Sequence, residues 1–213
     1  MRRDVADLKK EHASKTLEAD RDSYHRRDEH RIQRFLKGQI NESMDSTDLI
    51  VIGGGPAGLM AAGQAARQGA STLLLEKMAR PGRKLRITGK GRCNLTNVAP
   101  VEDFIGHFGE KGRFLRQAFA QFFTPDLIAF FNDLGVETVV ERGGRVFPVS
   151  EDAQEVVDAL VGWAKAGGVR IRTQEPAARL LIEGGRIAGV ECRDGRVYHA
   201  RTVVLATGGA SYP

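Results

Sequence analysis

Residues 48–76, DLIVIGGGPAGLMAAGQAARQGASTLLLE, decide the fold. Leu49, Ile50, Val51 and Ile52 form an apolar run without alternation, the pattern of a parallel strand covered on both faces. Gly53, Gly55 and Gly58 follow as G-x-G-x-x-G. The first glycine allows a tight turn, the second lets the backbone approach a pyrophosphate, and the third lets helix and strand pack closely. Pro56 suits the first helical position, where its missing N–H would have no partner. The free amides and dipole of that helix start favour a phosphate. Ala62 and Ala66 recur four and eight residues after Gly58, giving a small-residue face toward the sheet. Gly69 ends the helix. Leu73, Leu74 and Leu75 form a second buried strand, with Glu76 at its carboxyl end. A carboxylate there accepts hydrogen bonds from an adenosine ribose and repels a 2′-phosphate. A glycine fingerprint alone is weak. Strand, turn, small-faced helix, strand and terminal acid in this order point to dinucleotide binding.

The chain has 213 residues, 41% of them apolar and 28% charged, an ordinary soluble composition. No apolar run is long enough to span a membrane and no secretory signal is visible, so a cytoplasmic location is expected. Cys93 and Cys192 show neither C-x-x-C nor zinc spacing, which argues against a disulfide scaffold or a metal site. The net charge of +5 is compatible with anionic ligands. Residues 1–43 are crowded with charges of both signs and poor in large apolar residues. They read as a solvated helix or a disordered extension. A sharper expectation is that Met44 is the true start, which would place the first strand at the amino terminus.

Residues 77–101 carry Lys77, Arg80, Arg83, Lys84, Arg86, Lys90 and Arg92 and no acid. The run follows the proposed ribose acid, at the carboxyl edge of the sheet where open α/β folds bind ligands. Glycine-rich backbone plus cations suits phosphate and an anionic reduced flavin. RNA binding is disfavoured because base-stacking aromatics are not interleaved with the cations. Six phenylalanines between Phe104 and Phe123 read as helical core, and His107 stands alone. Thr124 reads as a helix cap before Pro125, with Gly135 as the stop, and residues 136–140 as a strand. Ser150 reads as the cap of a helix that turns Val156, Val157, Leu160 and Trp163 inward and stops at Gly167. Residues 169–171 give a third strand. Residues 180–182, 187–192 and 197–199, separated by glycine turns, give an antiparallel meander. Residues 203–206 return to a buried apolar strand before Thr207-Gly208-Gly209. A meander in that place is not what a hydride-transferring nicotinamide dehydrogenase would show.

The segments GGGPAGLMAA, LEKMARPGRKLRITGKGRCNLTN, GRVFPVSEDAQEVVDAL and VVLATGGASYP, in that order, resemble the YhiN/BaiN-like bacterial flavoproteins. That family comprises NAD(P)/FAD-dependent oxidoreductases, including aminoacetone-oxidase-family FAD-binding enzymes and dehydro-bile-acid reductases. The resemblance covers residues 48–213 and implies a glutathione-reductase-type FAD-binding Rossmann-like α/β fold. It implies FAD held at its pyrophosphate by Gly53, Gly55, Pro56, Ala57 and Gly58, and at its ribose by Glu76. Lys77, Arg83, Lys84 and the run Gly91, Arg92, Cys93, Asn94 would line the cofactor. Ala206, Thr207, Gly208 and Gly209 would form a second turn against it. NAD(P)H or an organic substrate would be the electron donor. Family members often carry glycine where this chain has Lys90. They also continue past ATGGASYP, so the chain is expected to be the front part of the enzyme, residues 44–213 being an incomplete FAD-binding domain. The alternative is a non-catalytic dinucleotide-binding module. No acid or base is named by the sequence. Cys93 lies where a thiolate could be stabilised, with a packed buried thiol as the other reading.

Overall fold

The computed structural model describes residues 46–209. The charged segment 1–43 and the proposed start at Met44 lie outside them. Strand β1 (Ser46–Ile52) enters helix α1 (Pro56–Arg67), which returns to β2 (Thr72–Glu76). The basic run contains helix α2 (Arg83–Ile87) and a 3-10 turn (Thr88–Gly91) before the short strand β3 (Thr96–Asn97). Helices α3 (Val101–Gly106), α4 (Arg116–Gln121) and α5 (Thr124–Asp133) follow. Then come β4 (Thr138–Glu141), β5 (Arg145–Pro148), α6 (Ala153–Ala166), β6 (Arg170–Thr173), β7 (Ala177–Glu183), β8 (Arg186–Cys192) and β9 (Val197–Leu205). A six-stranded sheet has the order β6-β2-β1-β9-β8-β7, and a three-stranded sheet has the order β3-β5-β4.

In the large sheet β6, β2, β1 and β9 are parallel, while β7, β8 and the start of β9 are antiparallel. The strands expected at residues 197–199 and 203–206 are one continuous strand. Val197–His199 pairs with β8, and from His199 onward β9 pairs with β1. The polar residues His199, Arg201 and Thr202 interrupt the apolar pattern, but the change of pairing partner keeps the backbone extended through them.

Alternation along the parallel strands sends side chains to two cores. Leu49, Val51 and Leu74 pack with Leu59 and Ala62 of α1, Phe131 of α5, and Val156, Leu160 and Trp163 of α6. Ile50, Ile52, Leu73 and Leu75 pack with Val190, Cys192, Tyr198 and Ala200 of the meander. Both faces are therefore covered, which is why β1 and β2 show no polar alternation. Asp48 links β1 to its neighbours. Its carboxyl, at about 2, is held below the usual range first by the Ser71 hydroxyl and then by Arg201.

Two helix starts differ from expectation. Thr124 is not a cap but the first residue of α5; its buried hydroxyl donates to the Asn97 carbonyl at 2.9 Å. Asp126 reaches back to accept from the Phe123 N–H at 2.8 Å. Asp152, not Ser150, caps α6, accepting from the Gln154 N–H at 2.8 Å, while the Ser150 hydroxyl bonds Glu155. The phenylalanines 104, 108, 119 and 123 stack on one another with centroids 5.1–6.4 Å apart rather than joining either core. Phe114 is 88% exposed.

Candidate functional site

The carboxyl ends of β1, β2 and β9 meet at the glycine turn. The Gly53 N–H donates to the Leu75 carbonyl at 2.8 Å, and the Ala206 N–H donates to the Ile52 carbonyl at 2.9 Å. Gly53 has φ +111, a conformation side chains disfavour, and a Cβ there would overlap the Ala206 carbonyl. A Cβ on Gly58 would overlap the Gly53 carbonyl oxygen and lie 3.3 Å from Ala206 Cβ. These two glycines are thus required by packing. Gly55 differs: a Cβ on it meets nothing within 4 Å. It is the N-cap of α1, with no side-chain cap and no acid in the first turn, followed by the exposed Pro56 and Ala57. The first amides of a helix have no intrahelical acceptor.

Glu76 is buried and ties this turn to the basic run. Its Oε2 accepts from the Gly54 N–H and its Oε1 from the Met78 N–H, both at 2.7 Å. Each oxygen retains a further lone pair. The Gly82 N–H donates to the Gly54 carbonyl at 2.8 Å, so the start of the run folds back over the turn. A Cβ on Gly54 would lie 2.9 Å from Glu76 Oε2. Gly54 and Gly82 are structural members that the G-x-G-x-x-G reading passed over. The middle glycine of GGG was the available signal for the first.

Lys77, Arg83, Lys84, Gly91 and Asn94 are exposed, as are Thr207, Gly208 and Gly209. Lys84 and Gly208 lie together, since a Cβ on Gly208 would stand 3.3 Å from Lys84 Nζ. The basic run and the second turn therefore face one another beside α1. Arg92 is engaged elsewhere. Its NH1 donates to Glu141 Oε1 at 2.7 Å and to Glu151 Oε1 at 3.1 Å, and its NH2 donates to Glu141 Oε2 at 3.3 Å. Its guanidinium carbon sits 4.2 Å from the Phe147 ring centroid. Glu141 above all raises its pKa further. Sequence reasoning assigned neither glutamate to the site; they lie 49 and 59 residues away.

Cys93 is fully buried, and burial pushes its thiol up against a smaller opposing hydrogen bond with Thr88. Cys192 is also buried, and burial, helped by Glu175, pushes it to about 11. Both fit the packing reading rather than the reactive one. We expect neither to react with a thiol reagent at pH 8 within minutes, and both to react once guanidinium unfolds the chain. Fast labelling of one thiol in buffer would contradict this burial. Among the described residues no three His, Cys, Asp or Glu side chains gather as a metal site, and no helix is long and apolar enough to cross a membrane.

Comparison with known proteins agrees with this fold. The chain is 37% identical over 163 residues to the 3-dehydro-bile acid delta(4,6)-reductase of Clostridium scindens, covering 75% of this chain and 38% of that one. It is 31% identical over 170 residues to the ribosomal RNA dihydrouridine synthase of Escherichia coli K12, covering 80% and 41%. The chain thus spans about two fifths of the length of these curated relatives. Among solved structures, THI4 of Thermovibrio ammonificans superposes with a TM-score of 0.58 at 20% identity, covering 86% of this chain and 65% of that one. The 3-ketosteroid-delta4-(5alpha)-dehydrogenase of Rhodococcus jostii RHA1 superposes with 0.55 at 20% identity, covering 80% and 47%. These two likenesses establish the fold. The family described as HI0933-like protein Rossmann domain matches residues 47–213, and the chain belongs to that family of FAD-binding Rossmann domains.

Proposed function

We propose that residues 44–213 are the FAD-binding part of a flavin-dependent oxidoreductase. Gly55 carries the reading. It is the one glycine of the fingerprint that packing leaves open, and it stands at an uncapped helix start without acids. That is a cradle for a pyrophosphate. In this reading the Gly53–Gly58 turn holds the diphosphate. The remaining lone pairs of Glu76 take the adenosine ribose. Lys84, beside Gly208, supplies positive charge where the basic run meets the second turn. Lys77, Arg83, Gly91, Asn94, Ala206, Thr207 and Gly209 would line the rest. When bound, the flavin would supply two-electron or hydride transfer. NAD(P)H is the proposed electron donor, and reduction, the direction named for the bile-acid relative, is the proposed direction for the whole protein.

The test is direct. Being an incomplete domain, the purified chain is expected to bind FAD weakly, so FAD titrated into it should show saturable binding, and the bound flavin band should bleach with NADH or NADPH. Gly55→Val should weaken FAD binding at least tenfold, a change of about 1.4 kcal/mol, with an unchanged melting temperature. Equal affinity in that variant would sink the reading. A bound flavin that no nicotinamide bleaches would favour the non-catalytic module. Two relatives are named for acting on ribosomal RNA, so RNA affinity that collapses between low and physiological salt would redirect the basic run to nucleic acid.

A further inference from the structure

We infer that Glu141 and Glu151 are positioning residues, which fasten Arg92 and through it fix the left-handed loop 89–93 beside the cofactor. The inference rests on the FAD reading for what the loop faces, but not for the fastening itself.

The loop holds an unusual backbone. Gly89, Lys90, Gly91 and Cys93 have φ of +57, +59, +91 and +62. Lys90 and Cys93 adopt this region against their Cβ atoms, a conformation that persists only where surroundings over-determine it. Within the loop the Arg92 N–H donates to the Gly89 carbonyl at 3.3 Å and also to the Thr88 carbonyl, and the Cys93 N–H donates to the Thr88 carbonyl at 3.1 Å. Side-chain constraints come from outside. Phe147 of β5 touches the loop twice, under the Arg92 guanidinium and against Gly89, where a Cβ would lie 2.8 Å from its ring. Glu141 at the end of β4 grips the guanidinium through both oxygens. Glu151, just before α6, takes a further bond. Three side chains, Glu141, Phe147 and Glu151, therefore converge on one side chain of the loop.

Glu151 is the telling member. It is itself left-handed at φ +55, outside the helix, and its side chain is 64% exposed. An exposed glutamate gains nothing for a core by adopting that conformation. What the conformation achieves is to bring a second carboxylate to Arg92. Two carboxylates on one guanidinium also over-neutralise it, so Arg92 acts as a fastener. The charge offered to an anionic ligand is left to other cations of the basic run, Lys84 beside Gly208 among them. A fork held bidentately and stacked on a ring fixes direction as a lysine could not.

Amide hydrogen exchange on the 213-residue chain, read by mass spectrometry, tests this without cofactor. Glu151→Gly removes the carboxylate and relieves the backbone at once. Exchange across residues 89–94 should rise at least fivefold while the melting temperature stays at or above that of the parent. Arg92→Lys should loosen the same segment. FAD affinity should fall at least threefold in both variants. Unchanged exchange in the loop, or a rise shared equally with β1 and α6, would overturn the fastening. Should the parent bind no FAD, the functional reading fails while the exchange result still decides the clamp.

Discussion

Alanine in place of Gly58 is expected to destabilise the domain by about 2 kcal/mol and to abolish FAD retention. Two effects oppose each other. Gly58 lies in α1, where alanine is the better helix former by about 1 kcal/mol. Against this, the new methyl would overlap the Gly53 carbonyl oxygen and press on Ala206. Overpacking costs about 1–3 kcal/mol, and the upper end applies here because the obstacle is backbone that cannot rotate aside. The overlap wins. Relief requires α1 to move off the β1 turn, and with it the amides proposed to grip the diphosphate. Thermal melting should show a fall of roughly 4–8 °C for a domain of this size. A variant melting at or above the parent would show that helix and turn are not in contact as described.

Glu76→Ala should be as damaging for a different reason. The buried Gly54 N–H and the half-buried Met78 N–H both lose an ionised acceptor. Hydrogen bonds to charged groups contribute about 1.5–3 kcal/mol each, and a buried amide left unpaired loses its hydration as well. Met78 is open enough to recover water, so the expected loss is about 3 kcal/mol, measured by urea unfolding without FAD. The alanine variant therefore cannot isolate ribose recognition, since the turn itself would loosen. Glu76→Gln separates the two. Its single carbonyl oxygen keeps one amide bond and its NH2 offers a donor where an acceptor is needed. We expect about half the stability loss and at least a tenfold weaker FAD complex. If the glutamine variant unfolds like the parent and binds FAD equally well, Glu76 has neither role.

The βαβ unit was legible because each of its signals is local. Glycines, Pro56, the leucine run and Glu76 sit within 29 residues whose neighbours in sequence are neighbours in space. The inward face of α6 was legible for the same reason: Val156, Val157, Leu160 and Trp163 follow helical spacing and are all buried. What escaped depends on partners far away. Nothing near Arg92 announces Glu141 or Glu151. Ser150 and Asp152 are both good caps by type, and only the backbone chooses between them. Thr124 looks like a cap, yet its hydroxyl is drawn into a contact with Asn97, 27 residues earlier. The phenylalanine-rich segment has core composition, but only Phe104 and Phe119 lie on its two short α-helices, and the rings of 104, 108, 119 and 123 stack on one another.

Strand β9 has a consequence for how the molecule assembles. It is the seam between two halves of the sheet, lying between β1 and β8. Asp48 and Arg201, paired across that seam, are 153 residues apart. A ribosome must therefore deliver the chain from Ser46 to the strand ending at Leu205 before β1 completes its pairing with this second neighbour. Until then one apolar flank of the first strand stays unzipped, a surface open to adventitious pairing. Such distant closure predicts slow maturation, with helper chaperones most useful in the interval between translation of Ile52 and translation of Leu205.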